Sequence, residues 1–184
     1  MNIEIFDIPG PTLLRPKRFA DKRGSFCETF NQAVFSTAIG FDVNFIQDNH
    51  SISLVKGTIR GLHAQKPPFA QGKLIRCTRG SIRDVAVDIR KGSKTYGQHV
   101  EVILSEENGA QLWVPEGFLH GFETLTDDCH VQYKQTAYYE PGAEIGIMWN
   151  DAALAIGWAA CVNTATVSDK DAGAASFATF KSPF

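Results

Sequence analysis

Lys73-Leu74-Ile75-Arg76-Cys77-Thr78, running into Arg79-Gly80, reads as a strand ending in a turn, and the residues that follow repeat the pattern. Val85, Val87 and Ile89 alternate with Ala86, Asp88 and Arg90 before the turn cluster Lys91-Gly92-Ser93-Lys94. His99 to Ser105 sets Val100, Val102 and Leu104 on one face. Glu107-Asn108-Gly109 closes that run, and Asn-Gly predicts a hairpin because both residues tolerate positive φ. Gln111-Leu112-Trp113-Val114 stops at Pro115, His120 to Leu125 runs to Asp127-Asp128, and Cys129 to Thr136 follows. Alternation with period two is the mark of a strand. Short strands spaced about 8–12 residues apart and joined by Gly and Asp turns argue for an antiparallel barrel or sandwich. Helix is scarce: Asn31 to Ser36 allows a turn or two, and Ser168-Asp169-Lys170-Asp171 starts another. No repeat, low-complexity tract or charged linker interrupts the chain, so residues 1–184 read as one all-β domain.

Composition agrees with that reading. The 184 residues carry 18 basic and 20 acidic side chains, with 43% apolar and 21% charged residues. Such a chain buries roughly 70% of its unfolded surface without a disulfide or metal to help it. The balance excludes a disordered chain. A formal charge of −2 gives no sign of a nucleic-acid or anionic-membrane partner. No apolar run approaches the roughly 20 residues that cross a bilayer. The start, Met1-Asn2-Ile3-Glu4-Ile5, shows neither a basic segment nor an apolar secretory stretch. Cys27, Cys77, Cys129 and Cys161 are scattered, with no CxxC pair, and read as buried, reduced thiols of a cytoplasmic protein.

Three short segments concentrate groups able to do chemistry. Gly57 to Gln65 carries Arg60 and His63, and Lys73 follows soon after. Two cations beside a base that titrates near neutrality suit a pocket for an anionic substrate, with His63 as general base. The same residues also suit a basic edge strand with one hydrogen-bonded histidine. In Cys129-His130-Val131-Gln132-Tyr133-Lys134, Tyr133 shares parity with Cys129 and Val131 and so faces inward. It is either a core tyrosine bonded to a carbonyl or a phenol presented to a cavity as a proton donor. Tyr138 and Tyr139 read as rim or structural residues. In Val167 to Asp171, Ser168 is a candidate N-cap, and an acid from this segment brought to His63 would orient its ring.

The segment Val114-Pro115-Glu116-Gly117-Phe118-Leu119-His120-Gly121-Phe122 is similar to the second motif of the cupin superfamily, a jelly-roll antiparallel β-barrel. Metal-binding cupins take a ligand from that histidine and two more from an earlier His-x-His pair. This chain has His63-Ala64-Gln65 there, one imidazole short, so no metal is expected.

Further segments extend the likeness over nearly the whole chain. They include Phe19 to Glu28, Gln47-Asp48-Asn49-His50-Ser51, Arg60-Gly61-Leu62-His63 and Pro67 to Lys73. Further along come Asp84 to Ser93, Pro115 to Phe122, Tyr133-Lys134, Trp149-Asn150-Asp151 and Ser168 to Asp171. Together they resemble the dTDP-4-dehydrorhamnose 3,5-epimerase family. The resemblance implies a cupin-type barrel with short peripheral helices, acting without a cofactor as a homodimer on a nucleotide-linked 4-keto-6-deoxy sugar. It implies His63 as proton acceptor, Tyr133 as donor, Asp171 as the acid paired with His63, and Lys73 as the cation beside the keto oxygen. Arg23, Glu28, Gln47, Asn49, Arg60, His120, Glu144 and Lys170 resemble substrate-contacting positions, the Arg23–Glu28 and Gln47–Asn49 segments being candidates for sharing across a dimer. Ala64 stands where members commonly carry tyrosine. A sister enzyme inverting carbon 5 or carbon 3 alone, or a non-catalytic cupin holding a sugar nucleotide, is the alternative.

Overall fold

A computed structural model describes residues 1–160 and 163–184; Cys161 therefore lies outside the described residues. Two antiparallel sheets face each other. The first has six strands in the order β1 (Asn2–Ile5), β2 (Thr12–Arg15), β10 (Gln111–Val114), β7 (Lys73–Arg79), β12 (Cys129–Gln135) and β5 (Gln47–Ser53). The second has five: β13 (Glu144–Gly146), β6 (Ile59–Gln65), β11 (Phe118–Thr124), β8 (Ser81–Asp88) and β9 (His99–Ser105). This is the expected jelly-roll type of all-β architecture. The two short helices, α1 (Gln32–Ile39) and α2 (Asp169–Ala172), sit at the periphery. A separate two-stranded hairpin, β3 (Arg18–Asp21) with β4 (Gly24–Cys27), joins neither sheet.

The inner faces interdigitate as alternation demands. Ile75, Cys77, Leu112 and Val131 from the first sheet meet Ile82, Val100, Leu104 and Phe122 from the second. Both outer faces are also partly covered. Phe35 of α1 packs with Leu14, Leu74 and Trp113 on one, and the chain after Leu154 lays Trp158, Phe177 and Phe180 over Leu62, Val85 and Leu119 on the other. Double coverage explains why β11 is buried at every position rather than at alternate ones. Ala64 packs its methyl into that second outer cluster. Among the described residues no helix is long and apolar enough to cross a membrane.

Two expectations need correction. Asn108-Gly109 does not close a hairpin: β9 pairs with β8 in one sheet, whereas β10 pairs with β2 and β7 in the other. Only Gly109 takes a positive φ. The Asn108 side chain instead bonds Ser105 N–H, Ala110 N–H and the Ile103 carbonyl, shaping a crossover between sheets. The thiols also differ from one another. Cys77 and Cys129 are buried, with burial pushing the Cys77 thiol up to about 12, but Cys27 is half-exposed on β4.

Candidate active site

One end of the barrel opens into a cavity of about 960 Å³ between the sheets. His63 enters it from β6. Along β11 the step from His120 to Phe122 covers two residues, whereas their partners on β6, His63 and Arg60, are three apart. The extra residue is a bulge at Gly61-Leu62, and it turns both Arg60 and His63 toward the cavity despite their opposite parity. The bulge needs glycine. Gly61 has φ +115°, and a Cβ there would lie 2.7 Å from the Gly121 Cα.

The C-terminal segment delivers the acid. Thr166 bridges Thr58 at the start of β6, Ser168 caps α2 by accepting from Asp171 N–H, and Asp171 is thereby placed beneath the bulge. Its Oδ1 lies 2.5 Å from His63 Nε2, and its Oδ2 accepts the Gly61 N–H at 3.3 Å. Asp171 is 5% exposed. Burial alone would raise its carboxyl, but the imidazole, Gly61 and Ser168 together hold it below the usual carboxylate range. The other His63 nitrogen, Nδ1, has no protein partner among the described residues.

Tyr133 reaches the same cavity from β12 of the opposite sheet, between β7 and β5. Burial raises its phenol, which the Arg60 charge partly offsets, so the group keeps its proton at neutral pH. Its hydroxyl makes no hydrogen bond to a described residue. Lys73, on neighbouring β7, likewise has no hydrogen-bond or ion-pair partner among them. Burial pulls its ammonium down to about 8 against the pull of Glu144 and Asp84.

The other charges are arranged in pairs. Glu144 accepts from Lys170 Nζ and from Tyr139 Oη at 2.9 Å, and stands 3.8 Å from His63 Nε2. Burial would raise Glu144, but Lys170 and Tyr139 hold it low. His120, register partner of His63, bonds the fully buried Asp84 carboxylate at 2.9 and 3.0 Å. With these carboxylates engaged, Arg60 and Lys73 remain as cations without acidic partners among the described residues; Arg60 bonds only Ser53 Oγ and the Ile52 carbonyl. An anionic guest meets positive potential there.

Ten of the twelve residues named from the sequence thus border one cavity. Arg23 and Glu28 do not: Arg23 sits in the turn of the β3–β4 hairpin, 83% exposed and paired with Asp21, and Glu28 is exposed just beyond β4. Other functional neighbours were missed. Gln65 stands where a His-x-His pair would place its second imidazole and bonds the Phe69 and Tyr138 carbonyls and Glu140 N–H, pinning the rim. Gln71 and Gln135 also line the cavity, beside Tyr139, which was read as a rim residue. Parity was the available signal: Gln135 is two residues from Tyr133, and Gln65 two from His63.

The model of the dTDP-4-dehydrorhamnose 3,5-epimerase family matches residues 6–179. A dTDP-4-dehydrorhamnose 3,5-epimerase of Shigella flexneri is 51% identical over 171 residues, covering 93% of this chain and 93% of its own. That of Salmonella typhimurium is 54% identical over 151 residues, 82% of each chain. Among solved structures, the dTDP-6-deoxy-D-glucose-3,5-epimerase of Legionella pneumophila Philadelphia 1, in complex with dTDP-4-keto-L-rhamnose, superposes with a TM-score of 0.92 at 42% identity. That superposition covers 98% of this chain and 94% of the other. The chain belongs to the dTDP-4-dehydrorhamnose 3,5-epimerase family.

Proposed function

We propose that this chain inverts dTDP-4-dehydro-6-deoxy-D-glucose at carbons 3 and 5, giving dTDP-4-dehydro-L-rhamnose. The observation that carries the reading is the placement of a carboxylate-held imidazole on one sheet and a protonated phenol on the other, both facing one cavity. Protons next to a ketone leave only when the developing enolate charge is held. In this reading His63 Nδ1 takes the proton, Asp171 holds the ring, and the Lys73 ammonium sits by the keto oxygen. Tyr133 then delivers its proton to the same carbon from the opposite face, inverting it, and the resulting phenolate and imidazolium return to their starting states through solvent. One proton leaves and one arrives at each centre, so no electrons change hands and no cofactor is required. Arg60 and Lys170 suit the diphosphate, while His120, Gln47, Asn49 and Glu144 suit sugar and nucleotide oxygens.

Arg23 and Glu28 fit this scheme in a homodimer. They ride on or beside a hairpin that pairs with neither sheet and exposes Phe19 and Phe26 at 54% and 69%. An apolar hairpin of that kind is costly to leave in water and well shaped to carry Arg23 into a second copy's cavity. A sugar-nucleotide substrate suits a cytoplasmic setting.

Proton NMR of the substrate in heavy water tests the reaction. Label is expected at both carbons with formation of the inverted sugar. Label at one carbon would make the chain a single-centre epimerase, and no exchange would leave it a binding protein.

A further inference from the structure

One wall of the cavity carries four carboxamides in series. Gln71 Nε2 donates to the Ala137 carbonyl at 2.7 Å, and Gln71 Oε1 accepts from Gln135 Nε2 at 3.1 Å. Gln135 Oε1 then accepts from Gln47 Nε2 and Asn49 Nδ2, both at 2.8 Å. Gln47 Nε2 also reaches Asn49 Oδ1 at 3.1 Å, and Gln47 Oε1 accepts the Tyr139 N–H at 3.0 Å. An amide can usually be turned end for end, but here main-chain groups fix the direction at both ends. A carbonyl at Ala137 only accepts, and an N–H at Tyr139 only donates. Working inward from either gives the same polarity for Gln135, which is 5% exposed.

We propose that Gln135 is a positioning residue for this site: with Gln47 already set by the Tyr139 N–H, Gln135 accepts from Asn49 and so holds that amide with one N–H engaged and the other offered to substrate oxygens. Gln47 has both its N–H groups engaged, whereas Asn49 retains one with no protein partner among the described residues. The wall therefore presents a donor at Asn49, matched to a hydroxyl, keto or phosphate oxygen. Were Gln135 unable to accept, the Asn49 amide would keep only the longer contact from Gln47 Nε2 at 3.1 Å and would be held less firmly. The inference rests on the reaction proposed above, since it concerns how that substrate is held.

Two substitutions separate this role from packing. Gln135→Met removes the shared acceptor, and KM for dTDP-4-dehydro-6-deoxy-D-glucose is expected to rise about tenfold with little change in kcat, the effect of losing roughly one hydrogen bond. Gln135→Glu keeps the acceptor for Asn49 but loses the N–H given to Gln71 Oε1, so KM returns part of the way to the wild-type value. Because residue 135 is the register partner of Lys73 across β12 and β7, the new carboxylate also favours the ammonium. The alkaline limb of the kcat/KM profile moves to higher pH. Melting temperatures identify any variant that fails to fold, and the Gln135→Met/Asn49→Ala pair keeps the test open. If Gln135 acts through Asn49, the two KM effects are not additive. The role is overturned if KM is unchanged in Gln135→Met. It is overturned also if Glu and Met are equally impaired with an unmoved pH profile, or if the double variant is strictly additive. Wild-type protein run alongside separates the two claims: absent turnover by wild type overturns the reaction, not the role of Gln135 alone.

Discussion

Asp171 and His63 lie 108 residues apart in sequence and 2.5 Å apart in the fold, joined Oδ1 to Nε2. The carboxylate bonds the ring and the Gly61 N–H of the bulge, and the Asp171 main-chain N–H is held by the Ser168 helix cap. A ring fixed in this way keeps its second nitrogen aimed at the cavity. Asp171→Asn retains the shape but offers the ring a weaker acceptor or its amide N–H. Turnover is expected to fall by about 10²–10⁴, close to the loss in His63→Asn, with KM little changed. Steady-state kinetics decides it, and near-wild-type turnover in Asp171→Asn would remove the acid from the mechanism.

Tyr133 and His63 come from different sheets, so removing one need not disable the other. Tyr133→Phe leaves the base in place but takes away the proton on the far face. Heavy-water exchange next to the ketone should continue, with deuterium returned to the face it left, while formation of the inverted sugar drops at least about a hundredfold. Loss of exchange and inversion in equal measure would mean the phenol does not act as the separate donor.

Lys73 sets the pH behaviour. Its ammonium titrates near 8 because burial disfavours the charge. Activity that depends on that charge is present below pH 8 and fades as pH rises through it, and Lys73→Met should lose this limb along with most of kcat. The stability effect has the opposite sense. A lysine whose folded pKa lies below its unfolded value binds fewer protons when folded, so stability rises between about pH 8 and 10.4. At pH 7 the buried charge is a liability of up to roughly 3 kcal/mol. Lys73→Met is therefore expected to melt a few degrees higher than the wild type at pH 7, which calorimetry would check.

How much of this was legible beforehand depends on the range of the interaction. Period-two alternation and turn residues are local, so β7, β8, β10 and β12 could be read from the chain directly, as could the inward face of Tyr133. The N-cap at Ser168 is local too, and it caps α2. Asn108-Gly109 misled because a turn signal reports a bend, not whether the next strand stays in the same sheet. The bulge at Gly61-Leu62 was invisible for a related reason: it is a mismatch between two strands, and neither sequence alone contains it. Without it Arg60 and His63 would point to opposite faces. The amide chain through Gln71 and Gln135 was hidden because carboxamides carry no motif, and only the pairing of β12 with β5 and β7 brings three glutamines and Asn49 together.

Arg23 offers the last test, because its distance from its own cavity is informative only if another chain supplies one. On the dimer proposed here, a complete site takes His63 from one subunit and Arg23 from its partner. Each of Arg23→Ala and His63→Asn, prepared alone, is then expected to be impaired, by about tenfold or more for the former as a charge-assisted contact is lost. Unfolding and refolding the two variants together forms mixed dimers. In these, one site combines the intact His63 of the Arg23→Ala subunit with the intact Arg23 of the other, and the second site carries both defects. Mixed dimers should therefore regain about half of the wild-type rate per dimer, so that a statistical mixture exceeds the mean of its parents. If each subunit used its own Arg23, no subunit in the mixture would hold both intact residues. The rate would then stay at the average of the two variants. That outcome, or a chain that sediments as a monomer at assay concentration, removes the shared site and leaves the hairpin's exposed Phe19 and Phe26 needing another partner.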